Sequence, residues 1–319
     1  MKAVGGYFEL ELPASQEYHL GAVRLNTGRN SFEYILRAKE YEKVYLPYYT
    51  CDVMLEVIQK LDLKVDFYTI DETFRPVFNF SCLGATDVFV YNNYFGICDV
   101  QVAEVAEKCK NLIIDNSQAF FSMPLPGVDT FYSPRKFFGV PDGGYLYTNQ
   151  ILSRKLEQDV SYTRFTHLIK RIDIGSEAGY EDFKKNDGGF SDQPIKLMSE
   201  LTQRLLGSLD YPSIAQKRRQ NFTYLHSQLG SKNRLDLNPT NESIPMVYPY
   251  LTSNGGKIKE KLNALKIFVA TYWPNVVERC EKDSVEFEVA SNTLFLPIDQ
   301  RYGLDEIIYI YENISHLTL

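Results

Sequence analysis

Residues 43–115 alternate two kinds of segment, and this alternation limits the possible folds more than any other feature of the chain. Short apolar runs typical of buried strands are separated by stretches whose apolar residues have helical spacing. The predicted strands are Lys43–Pro47, Lys64–Tyr68, Asp87–Tyr91 and a run that ends at Asp115, and the predicted helices are Val53–Lys60 and Asp99–Lys110. Strands that alternate with helices favour right-handed βαβ units, so the sequence predicts an α/β protein with a mostly parallel sheet.

The carboxyl ends of parallel strands meet at one edge of the sheet, where α/β folds bind their ligands. Tyr49, Asn93, Tyr94, Asp115 and Lys136 all lie at or just after the ends of predicted strands. We therefore expect these side chains to gather in one site. A dinucleotide site is excluded there, because no Gly-x-Gly-x-x-Gly motif follows any of the strands.

A tight loop around Lys136 connects two further short strands. The first is predicted at Thr130–Tyr132 and the second begins at Tyr145. The pair Gly143-Gly144 in this loop implies positive φ or a very close backbone contact. An ammonium group among aromatic side chains loses hydration, and its neutral amine can attack a carbonyl carbon. An exposed loop lysine is the ordinary alternative, and the strand-end acid Asp115 upstream favours the reactive one.

The segments Asn111–Ala119 and Asp129–Thr148 together resemble the DegT/DnrJ/EryC1/StrS family of sugar aminotransferases. In that family a strand ends in Glu-Asp-x-Ala-Gln, and a later lysine precedes a Gly-Glu-Gly-Gly turn. Asp115 and Gln118 match the acid and the amide, Lys136 matches the lysine, and Pro141–Gly144 matches the turn. The resemblance implies the fold-type I scaffold: a large α/β domain with an N-terminal arm over residues 1–206 and a small α+β C-terminal domain over residues 207–319.

The resemblance also implies pyridoxal 5′-phosphate (PLP) as the cofactor. Lys136 would condense with its aldehyde and later move a proton as a base. Asp115 would keep the pyridine nitrogen protonated through a charge-assisted hydrogen bond. Gln118 would bond the ring hydroxyl. For the face of the ring, the matching position holds Cys51, where the family has an aromatic residue, so either Cys51 or one of Tyr48 and Tyr49 is expected to lie against the ring.

The phosphate of the cofactor is expected at the turn Thr27-Gly28-Arg29, which stands where the family has Ser-Gly-Thr. A helix N-terminus offers free N–H groups, and Arg29 could add a charge-assisted contact. The alternative is a plain helix start capped by Asn30 or Ser31. Ser133 is a second candidate phosphate ligand, although the family's serine lies two residues earlier, where this chain has Phe131. Tyr49 and Tyr94 are candidate substrate contacts.

The function implied by the resemblance is amino transfer to a keto-sugar, expected to be nucleotide-linked, with glutamate as the expected donor. Two other functions remain open: another PLP reaction such as dehydration, and a non-enzymatic role in a chain that binds PLP weakly or not at all. A homodimer is expected, since fold-type I sites are completed across a two-fold interface.

Composition excludes several other classes of protein. The net charge of −7 argues against a nucleic-acid surface, which needs a basic face. No apolar run is long enough to span a membrane, and the four scattered histidines predict no metal site. Five cysteines without a Cys-x-x-Cys pair predict reduced thiols in a cytoplasmic protein.

The remaining predictions concern the N-terminal arm and the second half of the chain. Residues 5–12 alternate apolar and polar residues and predict an extended arm that packs on the body or on a partner subunit. Residues 174–193 predict a mobile loop. The basic residues near Arg218 predict a solvated helix face. Further strands are expected at Pro245–Leu251, Ile267–Ala270 and Thr293–Leu296, with helices at Lys257–Leu265 and Asp305–Ile314.

Overall fold

The computed structural model describes residues 4–318, and its centre is an eight-stranded sheet. The strands are β1 Val23–Leu25, β2 Lys43–Pro47, β3 Lys64–Ile70, β4 Pro76–Val77, β5 Asp87–Asn92, β6 Leu112–Asp115, β7 Asp129–Tyr132 and β8 Gly144–Tyr147. Their spatial order is β1-β8-β7-β6-β5-β2-β3-β4. The five strands from β7 to β3 in this order are parallel, and only the pairs nearer the two edges are antiparallel. The predicted mostly parallel sheet is confirmed.

Helices cover this sheet and continue into the C-terminal part. They are α1 Gly28–Ala38, α2 Asp52–Lys60, α3 Asp99–Lys108, α4 Thr166–Asp173, α5 Tyr180–Gly188, α6 Glu200–Leu206, α7 Tyr211–Leu229, α8 Gly255–Ala264, α9 Pro274–Arg279, α10 Val285–Asn292 and α11 Leu304–Thr318. A two-stranded antiparallel sheet of β9 Val247–Leu251 and β10 Thr293–Pro297 lies within the predicted C-terminal domain. The boundary at residues 206 and 207 stays a prediction.

Both faces of the central sheet are buried, which explains why its strands read as almost continuous apolar runs. In β5, Val88 and Val90 belong to the core under α1 and α2, whereas Phe89 and Tyr91 belong to the larger core on the opposite face. Successive side chains of a strand point to opposite faces, so one apolar run supplies both cores.

The Gly143-Gly144 pair meets both conditions predicted for it. Gly143 has φ +123°, in the region that favours glycine. The backbone of Gly144 passes so close to the turn before α1 that a Cβ atom would lie 2.4 Å from the Thr27 carbonyl oxygen. This close approach brings the start of α1 against the end of the Lys136 loop.

Several local predictions were wrong. Residues 174–193 contain α5, so they are not the unstructured loop that their Gly, Asp and Lys content predicted. Ile267–Ala270 forms no strand; only Ala270 makes an isolated bridge, to Phe295. The N-cap of α1 is Thr27 and not Asn30 or Ser31, because the Thr27 hydroxyl accepts the Asn30 N–H at 2.9 Å.

The N-terminal arm is extended and its first residues make few contacts with the body. Tyr7 and Phe8 are 99% and 90% exposed, and Glu9 pairs with Arg204 at 3.1 Å. None of the helices between residues 4 and 318 is long and apolar enough to cross a bilayer. The five cysteines are all free.

Replacing Gly144 with alanine should destabilise the protein, because the added methyl group would overlap the Thr27 carbonyl oxygen. Overpacking of this kind lowers the free energy of unfolding by about 2 kcal/mol, which urea denaturation would measure. Gly188→Ala is the matched control, since its new Cβ would have no atom within 4 Å. Equal stability of the two variants would contradict the close approach at Gly144.

Candidate active site

Lys136 ends a short 3₁₀ helix, Pro134–Lys136, that directly follows β7. Its side chain is exposed, so the predicted loss of hydration is not found. The Nζ atom nevertheless lies 5.8 Å from the ring centroid of Trp273, which precedes α9. The amine is therefore accessible to a reactant and has an aromatic wall on one side.

Asp115 lies at the carboxyl end of β6, as predicted, and its Oδ1 accepts the Ser117 N–H at 2.7 Å. Burial raises the pKa of this carboxyl group, and the nearby Lys136 charge and the hydrogen bonds from Ser117 partly oppose the rise. The acid and the amine are thus close enough to interact electrostatically. That the two residues hold opposite ends of one cofactor stays a prediction.

Gln118 has one satisfied and one unsatisfied end. Its Oε1 accepts the Phe95 N–H at 3.2 Å, which fixes the orientation of the side chain. Its buried Nε2 has no hydrogen-bond partner among residues 4–318. Buried donors are nearly always paired, so the unpaired amide indicates that a ligand group belongs there.

Gly28, the first residue of α1, lies next to Ser117 and Ser133, which belong to two neighbouring loops. A Cβ on Gly28 would lie 3.4 Å from Ser133 Cβ and 3.5 Å from Ser117 Oγ. The first N–H groups of a helix have no acceptor within the helix. The structure therefore places the predicted residues Gly28 and Ser133 together, at a helix start of the kind that can bind an anionic group.

Arg29 adds a guanidinium group near this turn. Its Nη2 lies 3.5 Å from Glu56 Oε2 on α2. Its Nη1 is buried and has no partner in the described part of the chain. One side of the guanidinium is thus available for a further acceptor.

Among the three candidates for stacking, the structure favours Cys51. Tyr48 stacks on Phe67 with ring centroids 5.1 Å apart, and Tyr49 packs 5.3 Å from Trp273. Cys51 lies near both Asp115 and Lys136: burial raises the pKa of its thiol, Lys136 lowers it and Asp115 raises it. Cys51 therefore suits the predicted position against the ring, whereas the rings of Tyr48 and Tyr49 already pack against Phe67 and Trp273.

Tyr94, a predicted substrate contact, packs inside the protein, and its substrate role stays a prediction. Its side chain is fully buried, and its hydroxyl donates to the Tyr49 carbonyl oxygen at 3.0 Å. Tyr49 is also fully buried. Its hydroxyl is unpaired within residues 4–318, but the ring lies behind Trp273 and Tyr94. The substrate role predicted for Tyr49 gains no support from this position.

A cleft of about 540 Å³ opens beside Lys136. One wall is the hairpin of α4 and α5, which is bonded to the Lys136 loop through Arg135–Asp187 at 2.9 Å. The other wall comes from the C-terminal part. The side chains that give the cleft its character are aromatic or basic: His167, Arg171, Tyr180, Phe183, Tyr272 and Arg301. Sequence reasoning missed this wall, and its one local signal was the i, i+4 spacing of His167 and Arg171.

His19 contacts three segments that border the site: the loop after β6, strand β7 and strand β8. Its Nε2 donates to the Phe120 carbonyl oxygen at 2.7 Å, and its Nδ1 accepts the Tyr147 hydroxyl at 3.2 Å. Its ring lies 4.2 Å from that of Tyr132, just before Ser133. Burial lowers the pKa of His19 from 6.5 to about 4, so the imidazole is neutral near neutral pH.

Neither a protein-family model nor a curated protein matches the chain. Solved structures do match it. Aminotransferase TlmJ from Streptoalloteichus hindustanus is 15% identical, with a TM-score of 0.65 over 95% of this chain and 91% of that one. A DegT DnrJ EryC1 StrS aminotransferase from Brucella abortus is 14% identical, with a TM-score of 0.61 over 93% and 85%.

Spr1654 from Streptococcus pneumoniae in its PLP form is 16% identical, with a TM-score of 0.64 over 91% of this chain and 85% of that one. At these identities the matches show a shared fold. The predicted fold class, that of the fold-type I sugar aminotransferases, is therefore confirmed across more than nine tenths of the chain.

The neutral state of His19 predicts a dependence of stability on pH. Between pH 4 and 6.5 the unfolded chain binds a proton that the folded chain refuses, so stability falls as the pH drops through this window. One such group contributes a slope of about 1 kcal/mol per pH unit. His19→Gln should make the measured slope of unfolding free energy against pH shallower. Identical slopes in the two proteins would contradict a buried neutral His19.

Proposed function

We propose that the protein is a PLP-dependent aminotransferase that transfers an amino group to a keto-sugar. The observation that carries this proposal is the placement of Asp115 at the end of β6 and of Lys136 just after the neighbouring parallel strand β7, with burial raising the pKa of Asp115 and the Lys136 charge opposing that rise. The shared fold with aminotransferases and with a protein solved in its PLP form supports it.

The residues present fit the cofactor at each of its ends. Around the phosphate, Gly28 leaves a cradle that a Cβ would fill, with Ser133 beside it and an unpaired guanidinium nitrogen on Arg29. Toward the ring, the unpaired Nε2 of Gln118 suits an acceptor such as the ring hydroxyl. Asp115 would hold the pyridine nitrogen.

When bound, PLP supplies an electron sink for the carbon that loses a proton. The residues of the chain do the rest. Asp115, as a carboxylate, would accept a hydrogen bond from a cationic ring nitrogen, and that positive charge would oppose the rise that burial causes in the pKa of Asp115. Lys136 Nζ would hold the cofactor covalently and, once released by an incoming amine, would act as the base that moves the proton. Cys51 would lie against the ring.

The acceptor is proposed to be a nucleotide-linked keto-sugar. The cleft beside Lys136 combines aromatic walls, from Tyr180 and Phe183, with the guanidinium groups of Arg171 and Arg301. Aromatic rings suit the flat faces of sugars and bases, and guanidinium groups suit phosphates. Glutamate is the proposed donor.

A cytoplasmic homodimer is also part of the proposal. The arm of residues 4–10 exposes Tyr7 and Phe8, apolar rings that a second copy would cover. The free cysteines agree with a reducing compartment.

Replacing Lys136 with alanine should abolish covalent attachment of PLP. In the wild-type protein, borohydride reduction after addition of PLP should leave a stable adduct on Lys136, detected by peptide mass spectrometry. Trp273 is the single tryptophan and lies 5.8 Å from Nζ, so its fluorescence should be quenched at the same time. Production of 2-oxoglutarate from glutamate should fall by about 10³-fold in the variant.

Lys110→Ala is the matched control. Lys110 is exposed and precedes β6, so it lies near the end of that strand opposite to Asp115. An adduct at Lys136 without amino transfer from any common donor would favour another PLP reaction such as dehydration. A wild-type protein that takes up no PLP would support the non-enzymatic role.

Arg171→Gln should weaken the binding of the nucleotide part of the acceptor. Arg171 is exposed in the cleft wall, and no carboxylate pairs with it among residues 4–318. Loss of one charge-assisted contact should raise the Kd for uridine or thymidine diphosphate about tenfold in calorimetry. Arg154→Gln is the control on an exposed site outside the cleft. Failure of the wild-type protein to bind either diphosphate would remove the nucleotide link from the proposal.

A further inference from the structure

Arg218 is a buried cation next to the reactive lysine. It lies on α7, where its side chain was predicted to be solvated, yet only 1% of it is exposed. No carboxylate in the described chain pairs with it directly. Burial lowers the pKa of Arg218 to about 10, so it remains protonated at neutral pH. A buried charge of this kind is costly unless its hydrogen bonds are satisfied.

Neutral acceptors from three separate segments satisfy it. Its Nε donates to Gln300 Oε1 at 2.9 Å, and its Nη1 donates to the carbonyl oxygens of Met246 at 3.0 Å and Pro245 at 3.3 Å. Its Nη2 donates to the Phe137 carbonyl oxygen at 3.5 Å. The guanidinium also lies 4.6 Å from the Phe137 ring centroid. Arg218 therefore contacts both the carbonyl oxygen and the ring of Phe137, the residue that directly follows Lys136.

Gln300 holds the same carbonyl from another side. Its Nε2 donates to the Phe137 oxygen at 2.8 Å, while its Oε1 accepts from Arg218. The three groups form a closed triangle of hydrogen bonds. Because each member orients the other two, the Phe137 carbonyl cannot rotate without breaking two contacts.

This triangle supplies contacts from outside the Lys136 loop to the backbone that follows Lys136. The Lys136 side chain is exposed, and its backbone N–H donates only to Ser133 at 3.2 Å, on the N-terminal side. On the C-terminal side the peptide of Phe137 is the anchor, and the triangle fixes its orientation. Within the loop, the Phe137 and Phe138 N–H groups also donate to the Pro134 carbonyl oxygen, at 3.0 and 2.9 Å, so the triangle acts together with this turn to orient the backbone at Lys136.

We propose that Arg218 and Gln300 are positioning residues that hold the Lys136 loop so that Nζ reaches the aldehyde carbon of the cofactor. The proposal rests on the proposed function, because it assumes that Lys136 condenses with PLP. In that condensation the neutral amine nitrogen bonds to the aldehyde carbon and the carbonyl oxygen leaves as water, with no oxidant or reductant. The step tolerates little misplacement of Nζ.

The two forms of the cofactor separate positioning from general structure. PLP binds through its phosphate and ring and also through the bond to Lys136. Pyridoxamine phosphate has the same phosphate and ring but no aldehyde, so its affinity does not depend on where Nζ points. A defect confined to the position of Lys136 should weaken only the binding of PLP.

The experiment measures the affinities of the full chain for both forms by quenching of Trp273 fluorescence, together with the yield of the borohydride-stable adduct. The variants are Arg218→Lys, which keeps the charge and loses the fork, Arg218→Met, and Gln300→Leu. We expect the affinity for PLP and the yield of adduct at limiting PLP to fall about tenfold in each, with the affinity for pyridoxamine phosphate unchanged. Arg219→Gln is the control one residue along α7; Arg219 is exposed and bonds only to Glu242.

Thermal unfolding of each variant shows whether it is folded. If Arg218→Met does not fold, Gln300→Leu still tests the proposal. Equal losses for both forms of the cofactor would overturn the proposal, because they would indicate general damage to the site. Unchanged binding of PLP would overturn it as well. If the wild-type protein binds pyridoxamine phosphate but forms no adduct, the assignment of Lys136 fails; if it binds neither form, the proposed function itself fails.

Discussion

The site depends on one close contact between two stretches of backbone. The Gly144 backbone can approach the Thr27 carbonyl because Gly144 has no side chain. The positive φ of Gly143, which glycine adopts readily, directs the chain toward this contact. This contact seats the start of α1 against the end of β7, so that Gly28 faces Ser133 and Ser117. Without it, the helix N-terminus and the Lys136 loop would belong to separate parts of the molecule.

A second constraint is electrostatic. The chain carries a net charge of −7, yet the charged residues that line the cleft beside Lys136 are mostly cationic. Arg135 and Arg301 are neutralised by Asp187 and Asp299, whereas Arg218 has only neutral acceptors. Fixed positive charge at the end of a cleft raises the local concentration of anions whatever the net charge of the protein. An anionic cofactor or substrate would therefore find a favourable potential at this edge of the sheet.

Local patterns predicted the parallel sheet and the positions of Asp115 and Lys136 near the carboxyl ends of its strands, and they missed whatever depended on distant contacts. The apolar runs between residues 43 and 115 could be assigned as parallel strands, because both faces of such strands are buried. Arg218 could not be placed, since a basic residue on a helix has the same local sequence whether water or the C-terminal segments cover it. The burial of Tyr94 could not be predicted for a related reason, because proximity to the sheet edge does not reveal which way a ring packs.

The hairpin of α4 and α5 shows a further limit of local patterns. Its Gly, Asp and Lys content is typical of loops. Its helices are stabilised by contacts between residues far apart in the chain or on different helices, which local sequence patterns do not predict. Asn186 donates to the Pro141 carbonyl oxygen at 2.9 Å, and Lys170 pairs with Asp182 at 2.6 Å. Tertiary contacts of this sort override weak intrinsic propensity. They also bring the hairpin over the cleft, where its residues can act on a substrate.

Cys51 gives a way to judge which contacts would matter most for holding the proposed cofactor. A stacked aromatic pair contributes about 0.5–1.5 kcal/mol beyond its buried area, and a sulfur against a ring contributes a similar amount. A hydrogen bond to a charged group contributes about 1.5–3 kcal/mol. Replacing an aromatic residue with Cys51 against the ring would therefore cost less binding free energy than a hydrogen bond from Arg29 to the phosphate would contribute. In the proposed site the binding energy would therefore shift from the face of the ring to its two ends, the phosphate turn and the covalent bond proposed at Lys136. The positioning of that lysine by Arg218 and Gln300 then carries more weight than it would in a site with an aromatic platform.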